Sequence, residues 1–203
     1  MTQTFRRVAA RAAVLTAIVG VFYTVTFALF VRESYHWAHW ASALALMTGG
    51  LVATPVMVGL YATFREQEPE FALIGLAVGL VGSFGAAIHG GFDVAVLANP
   101  VTGSPDLPSE VDPRGLLTFA FAGAALGLFG WLALRTRLLP AQCGYAGLGA
   151  WIVLLVVYLG RLIELDPNTN VIRVAALAAG IAFVPAFYLQ AGRVFARPVA
   201  SRR

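Results

Sequence analysis

The sequence predicts an all-α fold, a polytopic membrane protein with six transmembrane helices in an up-down bundle. Three observations predict it. Hydrophobic residues make up 59% of the 203-residue chain and charged residues only 12%, whereas soluble domains carry roughly 25% charged residues. The apolar residues gather into six runs, each about 20 residues or more, enough to cross about 30 Å of hydrocarbon. The connections between them are mostly short, which makes neighbouring helices antiparallel. Too little sequence lies between the runs for a soluble domain, so residues 1–203 are expected to form a single six-span membrane domain.

The first span is expected over residues 8–31. Arg6-Arg7 ahead of it resembles a leader peptide, but the run ends in Ala28-Leu29-Phe30-Val31-Arg32 without a small-residue cleavage site. It therefore reads as a retained helix. The second span, 41–63, contains Pro55, which removes a backbone donor and predicts a kink. The charged turn Arg65-Glu66-Gln67-Glu68-Pro69-Glu70 separates it from the third span, 71–97. There Gly75, Gly79 and Gly82 share one stripe, with Gly85 close by, and predict close helix packing.

Residues 100–114 form the longest connection, with three prolines beyond Pro100 and three acids. This composition suits either a cap over the bundle or a mobile loop. The fourth span, 116–134, repeats the glycine spacing at Gly123 and Gly127. The fifth, 143–163, opens on the lone Cys143, so no internal disulfide forms. An Asp166-Pro167 breaker precedes the sixth span, 171–191, which contains Pro185. Gly50 and Pro55 match Gly180 and Pro185 in spacing, a pattern that a parallel duplication of a helix pair would leave. Tyr35, Trp37 and Trp40 on one side, and Tyr61 and Tyr145 on the other, suit the membrane interfaces.

Charge sets the expected orientation. With the amino terminus inside, Arg6, Arg7, Arg11, Arg65, Arg135, Arg137, Arg193, Arg197, Arg202 and Arg203 lie in the cytoplasm. Arg32, Arg114, Arg161 and Arg173 lie on the other side, a ratio of ten to four. That is the positive-inside bias, and it places both termini in the cytoplasm. The net charge of +4 follows this distribution and implies no nucleic-acid partner. The chain contains no lysine, which excludes a Schiff base to retinal or pyridoxal phosphate. Exclusive use of arginine, with abundant alanine and glycine, matches the codon bias of a GC-rich bacterial genome, so a bacterial inner membrane is expected.

Ionisable residues are costly in hydrocarbon, so the insertion His89-Gly90-Gly91-Phe92-Asp93 in the third span marks a candidate site. A helix puts His89 and Asp93 on one face. Counting rise per residue places His89 in the outer hydrocarbon, with Arg161 at nearly the same height and Arg173 at that level in the sixth span. The expected pocket joins the outer ends of the third, fifth and sixth helices and holds His89, Asp93, Tyr158, Arg161, Glu164 and Arg173. An arginine fork there suits a carboxylate or phosphate head group. The structural alternative is an Arg161 pair with Asp93 or Glu164 that merely ties helix ends together.

His36 and His39, three residues apart, would with His89 and Asp93 form a three-His, one-carboxylate zinc or copper set. No HExxH, paired cysteines, nucleophile elbow, P-loop or dinucleotide fingerprint occurs, so no cofactor and no catalytic residue is assigned.

The turn Leu134-Arg135-Thr136-Arg137-Leu138-Leu139-Pro140-Ala141-Gln142-Cys143-Gly144 resembles one in small six-helix bacterial membrane proteins grouped as domains of unknown function. That resemblance implies the six-helix layout over almost the whole chain, and no activity. The expected function is non-catalytic: an accessory subunit, or a binder of a small lipophilic or amphiphilic molecule at the outer-leaflet pocket. Its partners would be the lipid bilayer and a lipophilic ligand or a second membrane protein. The alternatives are a small-molecule or proton-coupled transporter, and a membrane metalloenzyme using the histidine set.

Overall fold

The structure, a computed structural model, describes residues 1–31, 35–99, 114–163 and 169–197. Six helices are long and apolar enough to cross a membrane: α1 (Gln3–Val31), α2 (His36–Phe64), α3 (Pro69–Ala98), α4 (Leu116–Thr136), α5 (Ala141–Ile163) and α6 (Asn170–Ala196). The chain is a multi-pass, all-helical membrane protein, with no strand among the described residues.

Local chemistry sets where the helices start and stop. The Thr2 hydroxyl accepts from the Phe5 amide at 3.3 Å, so α1 begins five residues before its apolar run. Pro69 occupies the first turn of α3, where its missing amide proton is not needed, and Glu70 there complements the positive end of the helix. At the end of α4, Arg137 takes a left-handed conformation (φ 57°) and its amide closes on the Ala133 carbonyl.

The helices form a closed ring in chain order. Each packs on its neighbours in sequence, and α6 packs back on α1. Arg6 fastens that closure by donating to the carbonyls of Val194, Phe195 and Arg197 at 3.1, 3.3 and 2.8 Å. The two chain ends therefore share one end of the bundle, the opposite end being called distal below.

Small residues bring the helices together. A Cβ on Gly50 of α2 would stand 2.4 Å from the Ser83 carbonyl oxygen of α3. One on Gly82 would stand 2.6 Å from the Ala122 amide nitrogen of α4. Gly75 faces the Phe129 ring, and Gly123 and Gly127 face Leu154 and Trp151 of α5. The glycine stripes are thus packing faces, as van der Waals association in lipid requires. The fully buried core lies toward the termini: Val56, Leu60 and Phe64 of α2 meet Leu126, Phe129 and Leu132 of α4 and Phe187 of α6. Cys143 is buried there and its thiol reaches the Phe187 carbonyl at 3.7 Å.

The two intramembrane prolines have different local solutions. Helix α2 runs unbroken through Pro55, because the Thr54 hydroxyl donates at 2.8 Å to the Leu51 carbonyl that the proline leaves without its usual donor. In α6 the residues before Pro185, Ala178–Phe183, wind into a π-helical stretch instead. Two further π-helical stretches, Thr26–Val31 and Leu116–Phe121, lie at the distal ends of α1 and α4.

Candidate functional site

The missing side chain of Gly90 lets the α3 backbone close on Ala43 and Met47 of α2. The turn around Gly90 therefore presents His89 and Asp93 toward α4. Arg114, just ahead of the Leu116–Phe121 stretch, meets them there. Its Nη1 lies 3.3 Å from Asp93 Oδ1 and 3.5 Å from the His89 carbonyl oxygen, and its guanidinium stacks 4.0 Å above the Phe92 ring. That stack adds a cation–π attraction to the ion pair. His89 Nε2 lies 3.8 Å from Asp93 Oδ2, and His89 Nδ1 lies 3.1 Å from the Thr118 hydroxyl. Thr118 in turn donates to the Arg114 carbonyl at 3.0 Å.

Burial is graded through this cluster. The Asp93 side chain is 40% exposed, Arg114 21% and His89 15%, so the carboxylate stands at the mouth and the imidazole deeper.

The π-helical stretch of α4 accounts for the spatial order. Thr118 turns toward His89, whereas the next residue, Phe119, packs on an apolar contact of Val157 in α5 with Ile172 and Ala175 in α6. Helix α4 thus packs on both α3 and α5. Tyr158 and Arg161 lie half-buried near the end of α5, and Arg173 half-buried in the first turns of α6. Neither Tyr158 nor Arg173 makes a hydrogen bond or ion pair with His89 or Asp93. Glu164 lies outside the described residues.

The four-residue spacing of His89 and Asp93 puts their side chains 3.8 Å apart, and Arg114 and Thr118, which the sequence reading did not group with them, meet them from the start of α4. A usable signal was present: in an up-down bundle the first turn of the fourth helix is the nearest neighbour of the last turns of the third. Arg114 and Thr118 occupy that turn at a four-residue spacing.

The metal set is not assembled. His36 is exposed and His39 half-buried in the first turn of α2, where the His39 carbonyl accepts from Ser42 at 3.1 Å. Among the described residues no three His, Cys, Asp or Glu side chains come together, so His36 and His39 are not gathered with His89 and Asp93. What the distal cluster offers is a carboxylate set between a guanidinium and an imidazole. Such a set recognises polar groups by charge-assisted hydrogen bonds.

No protein-family model, characterised protein or solved structure matches the chain.

Proposed function

We propose that this protein is a non-catalytic binder that takes the polar head group of a small amphiphilic molecule at its distal cluster. The observation that carries the reading is the hydrogen-bonded set of His89, Asp93, Arg114 and Thr118 at one end of an otherwise apolar ring of helices. Ionisable side chains at membrane depth are costly and are retained where they meet a partner, a cavity or water. Here the acyl chain of the ligand would lie along the lipid-facing helices, and its head group would meet Arg114 and Asp93. The resemblance of the 134–144 turn to small six-helix bacterial membrane proteins supports the same layout.

The arginine distribution supports a bacterial inner membrane with both termini cytoplasmic, which puts the cluster in the outer leaflet. A reporter fused to either terminus is then expected on the cytoplasmic side. The binding reading is tested by native mass spectrometry of the protein released from its own membrane extract. The expected result is a retained amphiphile whose occupancy falls in Arg114→Gln. Equal occupancy in both proteins, or none in either, contradicts the reading.

A further inference from the structure

The closure between α1 and α6 leaves a groove on its outer face. Small residues bring the two helices together there. A Cβ added to Gly192 would stand 3.1 Å from the Ala13 methyl and 3.2 Å from the Ala10 carbonyl oxygen. Ala10 and Gly192 make the floor, and Val14, Ile18 and Leu189 rise from it as exposed apolar walls. The groove encloses about 520 Å³, inside the range of small-molecule sites, roughly 300–1,000 Å³.

Toward the end that carries the termini, the groove becomes cationic. Arg11 of α1 and Arg193 of α6 both line it, and both are exposed. The contact of Ala10 with Gly192 puts the next residue of each helix, Arg11 and Arg193, at one height on facing walls. Among the described residues no acidic side chain lines the groove. The acids described at this end, Glu66, Glu68 and Glu70, belong to the connection between α2 and α3, where Glu68 pairs with Arg135. Two like charges across a groove repel, and an anion between them turns the repulsion into attraction.

Depth identifies the kind of anion. Arg11 lies three residues inside the apolar limit of the first span, and Arg193 two residues beyond that of the sixth. Both guanidinia therefore reach the interface, where long basic side chains place their charged heads. Ile18 stands seven residues farther along α1, about 10 Å deeper into the hydrocarbon. A cationic end at head-group depth thus continues into an apolar track that runs inward.

We propose that the groove between α1 and α6 binds an anionic phospholipid from the leaflet on the side of the termini. Its phosphate lies between Arg11 and Arg193, and one acyl chain follows Val14, Ile18 and Leu189. The guanidinium fork matches phosphate oxygens. A head group without its own cation keeps its full negative charge for the two arginines. The site lies at the opposite end of the bundle from His89 and Asp93 and does not rest on the head-group reading above. Phospholipid of the membrane itself, present in excess, keeps the groove filled.

The test titrates the full chain, stripped of lipid in detergent, with palmitoyl-oleoyl phosphatidylglycerol or with phosphatidylcholine of the same chains. Native mass spectrometry follows the bound lipid. The parent protein is expected to prefer phosphatidylglycerol about fivefold or more, as the attraction of a single interfacial arginine for an anionic lipid implies. Arg11→Gln and Arg193→Gln should each weaken phosphatidylglycerol binding about fivefold, and the double variant should bind the two lipids alike. Arg65→Gln, the same charge change at the end of α2, should keep the preference. Ala196→Trp, which fills the groove with both arginines in place, should lose it. Glycerophosphoglycerol, the head group without chains, should not compete. Equal affinity of the parent protein for the two lipids overturns the proposal and needs no variant to fold. A preference that survives in the double variant, or that Arg65→Gln removes as fully, overturns it too. Competition by glycerophosphoglycerol overturns the assignment to a lipid.

Discussion

The Arg114 guanidinium lies 3.3 Å from the Asp93 carboxylate and couples the first turn of α4 to the last turns of α3. The two residues are separated by the longest connection in the chain, so the pair fixes where that connection must begin and end. Because Asp93 is 40% exposed and Arg114 21%, water moderates the attraction, and the contact is weaker than a fully buried ion pair.

A double-mutant cycle of Arg114→Ala and Asp93→Ala should therefore give a coupling of about 1 kcal/mol in unfolding measurements. The same cycle with Arg173 in place of Arg114 should give a value near zero, since Arg173 makes no ion pair with Asp93. A coupling as large for Arg173 would contradict the pairing described here.

Glycine positions separate into tight and open ones. Gly50→Ala drives a methyl to 2.4 Å from the Ser83 carbonyl and 2.6 Å from the Ala87 amide, both backbone atoms that cannot swing aside. A loss of about 1–3 kcal/mol is expected as α2 and α3 are forced apart. Gly20→Ala meets nothing within 4 Å and should be neutral, or should stabilise α1 by up to about 1 kcal/mol through helix propensity. Thermal unfolding of the two variants side by side checks the contrast.

Arg6→Ala removes three hydrogen bonds to carbonyls at the end of α6. These carbonyls lie at the negative end of the helix, where a cation and its donors are most effective. Hydrogen exchange over residues 190–197 should rise in Arg6→Ala, with a stability loss of about 1–2 kcal/mol. The neighbouring Arg7→Ala should leave both nearly unchanged.

The six helices were legible because a bilayer demands long apolar runs, and every run became a helix. Their ends were less so. Hydropathy reports where the apolar stretch stops, whereas Thr2 and Pro69 start helices outside it through capping and proline chemistry. Helix α2 continues through Pro55, where the Thr54 hydroxyl donates to the Leu51 carbonyl, and no periodicity encodes that contact.

In the site, His89 and Asp93 were legible from their spacing on one helix. Counting residues along each helix gave heights but not lateral order, and it is α4 that packs between α3 and α5. That order shows at a π-helical stretch in which Thr118 and Phe119 face different neighbours.

Photoaffinity labelling tests the central claim most directly. A diazirine placed beside the sulfate of a single-chain amphiphile, activated in membranes that contain the protein, reports where the head group sits. The account predicts labelled peptides from the distal ends of α3 and α4, around His89–Asp93 and Arg114–Thr118, with labelling competed by unlabelled hexadecyl sulfate. Labelling spread evenly over the six spans, or concentrated at the termini-bearing end, would contradict it.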